Sequence, residues 1–190
     1  MDLWSIKAPS YSGVRSLPLL RRILDREIDK LKTMIDREGI CPPTVLDVGT
    51  GAGSALRIFS EDIPVVGIDR SHHMLRRIQR RGCFTGLVGE ARRLPLREGA
   101  VPFVSAVGLT EYITDKEKFL FDVRRAVCSG GFFLVTIAPP RVLNTLRNIL
   151  GSRIYPIRAE KWERMVGQTG FTCLRKERTL LQIQYLLRAE

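Results

Sequence analysis

Hydrophobic and polar residues alternate along the chain with two different periods, and each period predicts a different kind of element. From residue 44 onward, short apolar runs rich in β-branched residues are separated by stretches with helical spacing, a pattern typical of βαβ units in a parallel sheet. The apolar runs are nearly continuous, as in strands that are covered on both faces. We predict strands at 44–48, 65–69, 84–89, 102–107 and 132–137, and helices at 52–60, 71–81, 115–127 and 159–169.

Two further segments flank this predicted core. Residues 17–38 carry apolar side chains at helical spacing, which predicts an amphipathic helix packed on the core or over a site. With Tyr11 before it, this helix is a candidate lid. Residues 171–179 and 182–187 predict two strands joined by a very short connection, which favours an antiparallel hairpin at the edge of the sheet.

Length and composition fit one globular domain. The chain has 190 residues, of which 44% are hydrophobic and 27% are charged, enough to bury a core. We expect a single domain over 1–190, with an N-terminal helical cap (1–43), a core (44–138) and a C-terminal part of insert, helix and hairpin (139–190). No apolar run reaches the ~20 residues of a membrane span, and the start lacks a signal-peptide pattern, so we expect a cytoplasmic protein. The four cysteines form no C-x-x-C pair, which predicts neither a metal site nor a disulfide framework.

The charge of the chain is unusually positive. Thirty-one lysines and arginines against twenty acidic residues give a formal net charge of +11. Several arginines cluster in one short stretch, namely Arg76, Arg77, Arg80, Arg81, Arg92, Arg93 and Arg97. Such a balance favours an anionic partner, which could be a nucleic acid, a phosphorylated metabolite or a membrane surface. A basic solvated face without a specific partner explains the charge equally well.

The most informative motif follows the first predicted strand. Residues 45–53 have the sequence V-L-D-V-G-T-G-A-G, and glycines at a strand end allow a sharp turn and close approach to a ligand. A dinucleotide-binding loop would need its third glycine at position 54, where Ser54 stands; the third glycine here is Gly53. The phosphate-binding pattern with a lysine is also absent, so the loop disfavours NAD and ATP. Asp47 is placed to anchor the loop or to reach a cationic ligand.

A carboxylate ends the second predicted strand. Asp69 lies about twenty residues past the glycines, a spacing at which an acid can hydrogen-bond a ribose diol. The alternative is an N-cap for the helix predicted to begin near Ser71. In the register that the glycine loop sets, we favour the ribose interpretation.

Four segments in order resemble the class I S-adenosylmethionine (SAM)-dependent methyltransferases, in the branch that includes the quinone-biosynthesis enzymes. Residues 47–53 resemble the first motif, D-x-G-x-G-x-G, and residues 69–75 resemble D-x-S-x-x-M-L. Residues 89–96 resemble G-D-A-x-x-L-P-F, with glutamate in place of the aspartate. Residues 125–131 resemble the L-K-P-G-G turn before the fifth strand, with Cys-Ser in place of Lys-Pro.

The resemblance implies a fold, a cofactor and a set of site residues. The fold is a Rossmann-like α/β sheet of seven strands in the order 3-2-1-4-5-7-6, with the last strand antiparallel, helices on both faces and an N-terminal helical lid. The cofactor is SAM, converted to S-adenosylhomocysteine (SAH), with the glycines near its methionine part, Asp69 on its ribose, and Glu90 with Ala91 beside its adenine. Met74 would pack on the adenine or, equally well, in the core. The predicted cofactor-binding residues are Asp47, Gly49, Thr50, Gly51, Gly53, Asp69, Arg70, Met74, Glu90, Ala91 and Val107.

The acceptor side is less determined. In this fold, acceptor residues usually line the mouth formed after the fourth and fifth strands, which here means residues 108–112 and 138–141. Glu111 and Tyr112 are our candidate catalytic residues, for orienting an acceptor. The alternative for Glu111 is a carboxylate at the start of a helix, where the dipole favours negative charge.

Three functions follow from these observations. We favour methyl transfer, by in-line attack, to a small or amphiphilic anionic acceptor; residues 139–156, which mix apolar residues with arginines, could wrap an amphiphile or touch a membrane surface. The second is RNA methylation, which only the charge supports. The third is a catalytically inactive cofactor-binding protein that serves a partner.

Overall fold

Strands and helices alternate over residues 18–79, 82–141 and 154–190, which the computed structural model describes. The strands are β1 (Val45–Val48), β2 (Val65–Asp69), β3 (Phe84–Val88), β4 (Val101–Ala106), β5 (Val127–Ile137), β6 (Phe171–Arg178) and β7 (Ile183–Ala189). The helices are α1 (Pro18–Arg37), α2 (His72–Leu75), α3 (Lys116–Ala126) and α4 (Ala159–Gln168), with 3₁₀ turns at Ser54–Ile58 and Thr110–Tyr112. Within these ranges, no helix has the length and apolar character needed to cross a bilayer.

The strands form one seven-stranded sheet of order β3-β2-β1-β4-β5-β7-β6, which confirms the predicted topology. Strands β3, β2, β1, β4 and β5 are parallel to one another. Strand β7 runs antiparallel between β5 and β6, so the predicted C-terminal hairpin is also confirmed. We call the edge at which β1 to β5 end, with the residues that follow each strand, the carboxyl edge. The strand order reverses between β1 and β4, the position at which open α/β sheets bind ligands.

Alternating side chains of the strands fill one apolar layer on each face of the sheet, as the period of two requires. On β4, for example, Val104 belongs to the first layer and Phe103 to the second. The first layer packs against α3 and α4, where Phe119 and Trp162 are fully buried. The second packs against α1 and the 3₁₀ turn after β1. Helices on both faces are therefore confirmed.

A buried polar network and apolar packing fix α1 to the sheet. The Glu27 carboxylate, on a residue only 5% exposed, accepts a hydrogen bond from Thr179 Oγ1 at 2.6 Å. The Glu27 carbonyl accepts another from Gln184 Nε2 at 2.9 Å. Helix α1 therefore packs on the core, one of the two placements that its pattern predicted. Tyr11 of the candidate lid lies outside the described residues, as do residues 142–153 of the stretch predicted to wrap an amphiphile.

The prediction of a helix at 52–60 is wrong. This segment forms only the 3₁₀ turn Ser54–Ile58. Phe59, which ends the turn, is already extended, with φ −101° and ψ 143°. The chain therefore leaves the helical conformation early, in order to reach the start of β2 after a short connection.

The helix predicted at 71–81 is also shorter than expected. It is confined to His72–Leu75, and the amides of Arg77 and Ile78 then donate to carbonyls three residues earlier, as in a tight 3₁₀ turn. Arginines four residues apart at 76/80 and 77/81 would repel each other on a continuous helix, which disfavours the longer helix. Residues 80 and 81 themselves lie outside the described ranges.

The turn predicted before the fifth strand is instead a bulge within β5. The pairing with β4 jumps from Val127 to Phe132, so that residues 128–131 lie opposite Pro102. Gly130 has φ 73°, a conformation that glycine adopts without strain and that commonly accompanies a bulge. The other predicted strands agree with the structure to within two residues at each end.

Candidate functional site

The backbone after β1 forms a loop with three glycines in the left-handed region. The φ angle is 72° at Gly49, 54° at Gly51 and 80° at Gly53, where other L residues are strained. The amides of Gly49 and Thr50 donate to the Ile68 carbonyl at 2.7 and 3.2 Å, which ties the loop to β2. The glycine spacing in the sequence is thus the spacing that this turn requires.

The space beside the loop differs from one glycine to the next. A Cβ at Gly49 would lie 2.6 Å from Leu109 Cδ1, in the loop after β4. At Gly51, the nearest heavy atom to such a Cβ would be Met74 Cε at 3.7 Å. The Gly51 backbone is therefore accessible, and the apolar thioether of Met74 lies beside it.

Asp69 joins this loop to the start of α2. Its Oδ2 accepts a hydrogen bond from the Gly51 amide and its Oδ1 accepts one from the Ser71 amide, each at 2.8 Å. The N-cap of α2 is Ser71, whose hydroxyl accepts from the Met74 amide at 3.4 Å, so the N-cap alternative for Asp69 is wrong. Each carboxylate oxygen can accept about two hydrogen bonds. The half-buried Asp69 therefore keeps acceptor capacity for a ligand.

Two buried polar side chains lie in or beneath the loop. Asp47 is 1% exposed, and its Oδ1 accepts a hydrogen bond from Ser105 Oγ at 2.5 Å. This bond links β1 to β4 across the point where the strand order reverses, and the role predicted for Asp47 at the loop stays a prediction. Thr50 is also buried, and its hydroxyl has no hydrogen-bond partner in the described parts of the chain.

The residues after β3 continue the same edge. The Gly89 amide donates to the Asp69 carbonyl at 3.1 Å, which places the next two residues beside the end of β2. The exposed carboxylate of Glu90 pairs with Arg92 at 3.4 Å. Ala91 packs, half-buried, against the first apolar layer. The resemblance assigned Glu90 and Ala91 to the adenine, and the structure places them at the edge that this requires.

Two residues of α3 fix the chain just beyond, and sequence reasoning missed both. Asp122 Oδ2 accepts a hydrogen bond from the Leu94 amide at 2.5 Å. Arg125 donates to the carbonyls of Leu94 and Leu96 at 3.0 and 2.6 Å, and also pairs with Asp122 at 2.9 Å. Opposite charges three residues apart on a predicted helix were the available signal, but they indicate a surface pair rather than a support for a distant loop.

The two candidate catalytic residues lie in the 3₁₀ turn after β4. Glu111 is 6% exposed and Tyr112 is half-buried. The end of β5 holds this turn, because the Gly108 amide donates to Thr136 Oγ1 at 2.8 Å and Thr110 Oγ1 donates to the Thr136 carbonyl at 2.6 Å. Glu111 stands in the first turn of a short helix, as its alternative interpretation predicted, and its catalytic role stays a prediction.

Lys116, which sequence reasoning did not single out, joins this turn to the segment before α4. Its Nζ donates to the carbonyls of Ile113 and Tyr155 at 2.6 and 2.8 Å. Burial lowers the pKa of Lys116 from its ordinary 10.5 to about 8; the Glu111 carboxylate acts against this shift, and the Lys161 ammonium adds to it. A buried amine thus holds together two segments that are far apart in the sequence.

The predicted cofactor residues converge on the carboxyl edge. In or directly beside the glycine loop lie Asp47, Gly49, Thr50, Gly51, Gly53, Asp69 and Met74. Arg70 is exposed directly after β2, and Val107 is half-buried directly after β4. Their contacts with a cofactor stay predictions.

A family model described as a methyltransferase domain matches residues 46–135 of this chain. The chain carries a methyltransferase domain. The matched residues include the glycine loop, Asp69 and the segment after β3. The match ends within β5, so the part of the carboxyl edge formed by β6, β7 and α4 lies beyond it.

Curated relatives of this methyltransferase domain are named for different acceptors. A malonyl-[acyl-carrier protein] O-methyltransferase of Geobacter sulfurreducens is 22% identical over 140 residues, which are 70% of this chain and 52% of that protein. A demethylmenaquinone methyltransferase of Thermotoga maritima is 28% identical over 133 residues, which are 66% of this chain and 55% of that protein. The chain therefore spans about half the length of these two relatives.

A solved structure shares the fold over almost the whole chain. The magnesium protoporphyrin IX methyltransferase of Synechocystis PCC 6803, with bound SAH, matches with a TM-score of 0.79 at 17% identity. The match covers 98% of this chain and 95% of that one. At this identity, the likeness establishes the fold.

Proposed function

We propose that this chain transfers a methyl group from SAM to a small or amphiphilic acceptor. The observation that carries the proposal is the contact of Asp69 with the Gly51 amide, which sets a carboxylate beside an accessible stretch of glycine backbone. The methyltransferase domain over residues 46–135 and the SAH-bound structure of the same fold support this choice of cofactor.

The residues at the loop suit the chemistry of SAM. Asp69 keeps acceptor capacity for the two ribose hydroxyls, which are hydrogen-bond donors. Gly51 has no side chain to keep a nucleoside from the backbone. Met74 provides an apolar surface for one face of the adenine, and the exposed Glu90 carboxylate can accept a hydrogen bond from the adenine amino group.

The protein's contribution to the reaction is mainly one of position. SAM supplies a methyl group that its sulfonium charge already activates. The turn after β4 carries Leu109, which lies against Gly49, and continues directly to Glu111 and Tyr112. These residues would orient an acceptor in line with the methyl group, and such positioning supplies much of the rate gain. A general base is needed only if the acceptor loses a proton as it attacks.

Calorimetric titration with SAH tests the proposal. We expect saturable binding to the wild-type protein and binding about 100-fold weaker to Asp69→Ala, which loses hydrogen bonds to the ribose and to the loop. Asp62→Ala removes an exposed carboxylate shortly before β2 and should bind SAH as the wild type does. NADH is the control ligand and should not bind.

Two results would contradict the proposal. One is a folded wild-type sample, verified by its thermal melting, that does not bind SAH. The other is equal loss of affinity in Asp69→Ala and Asp62→Ala, which would place the ligand elsewhere.

RNA methylation is a second candidate, because the arginines that cluster in the sequence are exposed in the described ranges. They are Arg76, Arg77, Arg92, Arg93 and Arg97. This candidate predicts RNA binding whose affinity falls steeply as salt increases. SAH binding without turnover on small molecules or RNA would instead favour an inactive cofactor-binding protein.

A further inference from the structure

We propose that three arginines at the carboxyl edge bind an anionic group, a carboxylate or a phosphate, of the methyl acceptor. Arg141, Arg158 and Arg178 line one cavity of about 190 Å³. A single carboxylate, that of Glu160, shares the wall, so the lining has a net charge of +2. The inference rests on the proposed methyl transfer and specifies the chemistry of its acceptor. We call this cavity the arginine cavity.

The strand pairing places the arginine cavity at the carboxyl edge. Arg178, at the end of β6, pairs with Ile183, which in turn pairs with Ile137 at the end of β5. The Ile157 amide donates to the Ala138 carbonyl at 3.0 Å, which brings the start of α4 to the same place. The cavity therefore opens beside the residues after β5, one of the two segments at which acceptor residues are expected.

Two of the three positive charges lack a partner in the described part of the chain. Arg158 and Arg178 are exposed, and neither forms an ion pair there. The carboxylate of Glu163, which Arg178 influences electrostatically, is already held by Lys176 Nζ at 2.5 Å and Tyr185 Oη at 2.8 Å. One exposed ion pair contributes little in water. Three guanidinium groups around one cavity can act together on a single anion.

The third arginine is already oriented. Arg141 Nη1 donates to the carbonyls of Thr179 and Leu180, at 2.8 and 3.1 Å, in the connection between β6 and β7. A guanidinium held in this way loses less conformational entropy when a ligand binds. In addition, no side chain caps the start of α4 in the described structure. The first-turn amides of α4, at Ala159 and Glu160, thus add partial positive charge to the same wall.

The volume of the arginine cavity indicates how much of the acceptor it can hold. Pockets for whole ligands usually measure about 300–1,000 Å³, so about 190 Å³ suits one small charged group. The rest of the wall is apolar, with Pro139, Pro140 and Ile183, and suits the carbon atoms next to that group. The remainder of the acceptor would extend along the edge toward the glycine loop.

An NMR titration of the whole chain tests this inference. The probes are inorganic phosphate and, separately, acetate, each added at constant ionic strength while the backbone amides of Ala159 and Glu160 are followed. We expect saturable shifts with at least one probe, and the stronger probe identifies the acceptor's anion as a phosphate or a carboxylate. Affinity should fall about tenfold or more in Arg158→Gln and in Arg178→Gln, because each loses a charge-assisted hydrogen bond.

Arg164→Gln is the matched control, since Arg164 is an exposed residue of α4 outside the cavity lining. It should bind the probe as the wild type does, and all three variants should keep the wild-type affinity for SAH. Shifts that do not saturate, or equal losses in Arg164→Gln and Arg158→Gln, would overturn the inference. If either of these results appears while SAH still binds, only the inference about the arginine cavity is wrong. If the wild-type protein does not bind SAH, the proposed function itself is wrong.

Discussion

The two halves of the carboxyl edge are built from different parts of the chain. The cofactor half, at the ends of β1 to β4, consists mainly of backbone, where Gly51 has open space in place of a side chain and its amide donates to Asp69. The acceptor half, at β5 to β7 and α4, consists of long side chains, with Arg141, Arg158 and Arg178 around one cavity. A single added methyl group should therefore damage the cofactor half, whereas the acceptor half should respond to the loss of charge.

The largest effect is expected at Gly51 in the cofactor half. In Gly51→Ala the new Cβ would occupy the open space bordered by Met74 Cε, and an alanine at φ 54° is strained by about 1–2 kcal/mol. We expect SAH binding to weaken about 100-fold from strain and steric exclusion together. Calorimetry with SAH measures this loss.

Gly39→Ala separates the effect of backbone strain from that of steric exclusion. Gly39 also has a positive φ, of 64°, but a Cβ there would meet no atom within 4 Å. This variant should lose a similar free energy of unfolding and keep its affinity for SAH. If Gly51→Ala binds SAH as well as Gly39→Ala does, the cofactor does not lie on the loop.

The cofactor half could be predicted from sequence because its determinants are local. Glycines at 49, 51 and 53 mark positive φ angles within one turn, and Asp69 ends a strand that is recognisable from its apolar run. The sheet order was also predictable, through the resemblance. That residues 52–60 form only a short 3₁₀ turn was not predictable, because the early return to an extended chain at Phe59 depends on the position of β2.

The acceptor half could not be predicted in the same way. Arg141, Arg158 and Arg178 come from three separate segments, and only the pairing of β6, β7 and β5 brings them to one cavity. Sequence reasoning did not single out Lys116, which is buried and donates a hydrogen bond to the carbonyl of Tyr155, 39 residues away. The net charge alone predicted an anionic partner but not where on the chain it would bind.

A smaller effect is expected where α3 supports the cofactor half through side chains. Asp122→Ala removes the acceptor for the Leu94 amide and the partner of Arg125. We expect a loss of about 1–3 kcal/mol in the free energy of unfolding, with SAH affinity reduced by about tenfold or less. Denaturant titration and hydrogen exchange at the Leu94 amide measure these changes.

Glu117→Ala is the control for that variant, since Glu117 is an exposed acidic residue of the same helix. It should leave both quantities close to the wild type. Faster exchange at Leu94 in both variants would show that the support comes from α3 as a whole and not from Asp122.

The smallest effect concerns Lys116 in the acceptor half and depends on pH. Its pKa is about 8 in the folded chain and close to 10.5 when unfolded. Between these values the unfolded state holds a proton that the folded state has released, so the stability that Lys116 contributes increases as pH rises and is least below pH 8. Near pH 8 the slope is about 0.7 kcal/mol per pH unit, because the folded amine is then half deprotonated.

The measurement compares the wild type with Lys116→Met by urea unfolding between pH 7 and 9. Other groups titrate in both proteins, so only the difference between the two free energies of unfolding reports on Lys116. We expect this difference to shift in favour of the wild type as pH rises. Lys118→Met, which changes an exposed lysine of the same helix, should show no such trend. A difference independent of pH would mean that Lys116 keeps an ordinary pKa, and that its bonds to Ile113 and Tyr155, rather than its burial, determine its protonation.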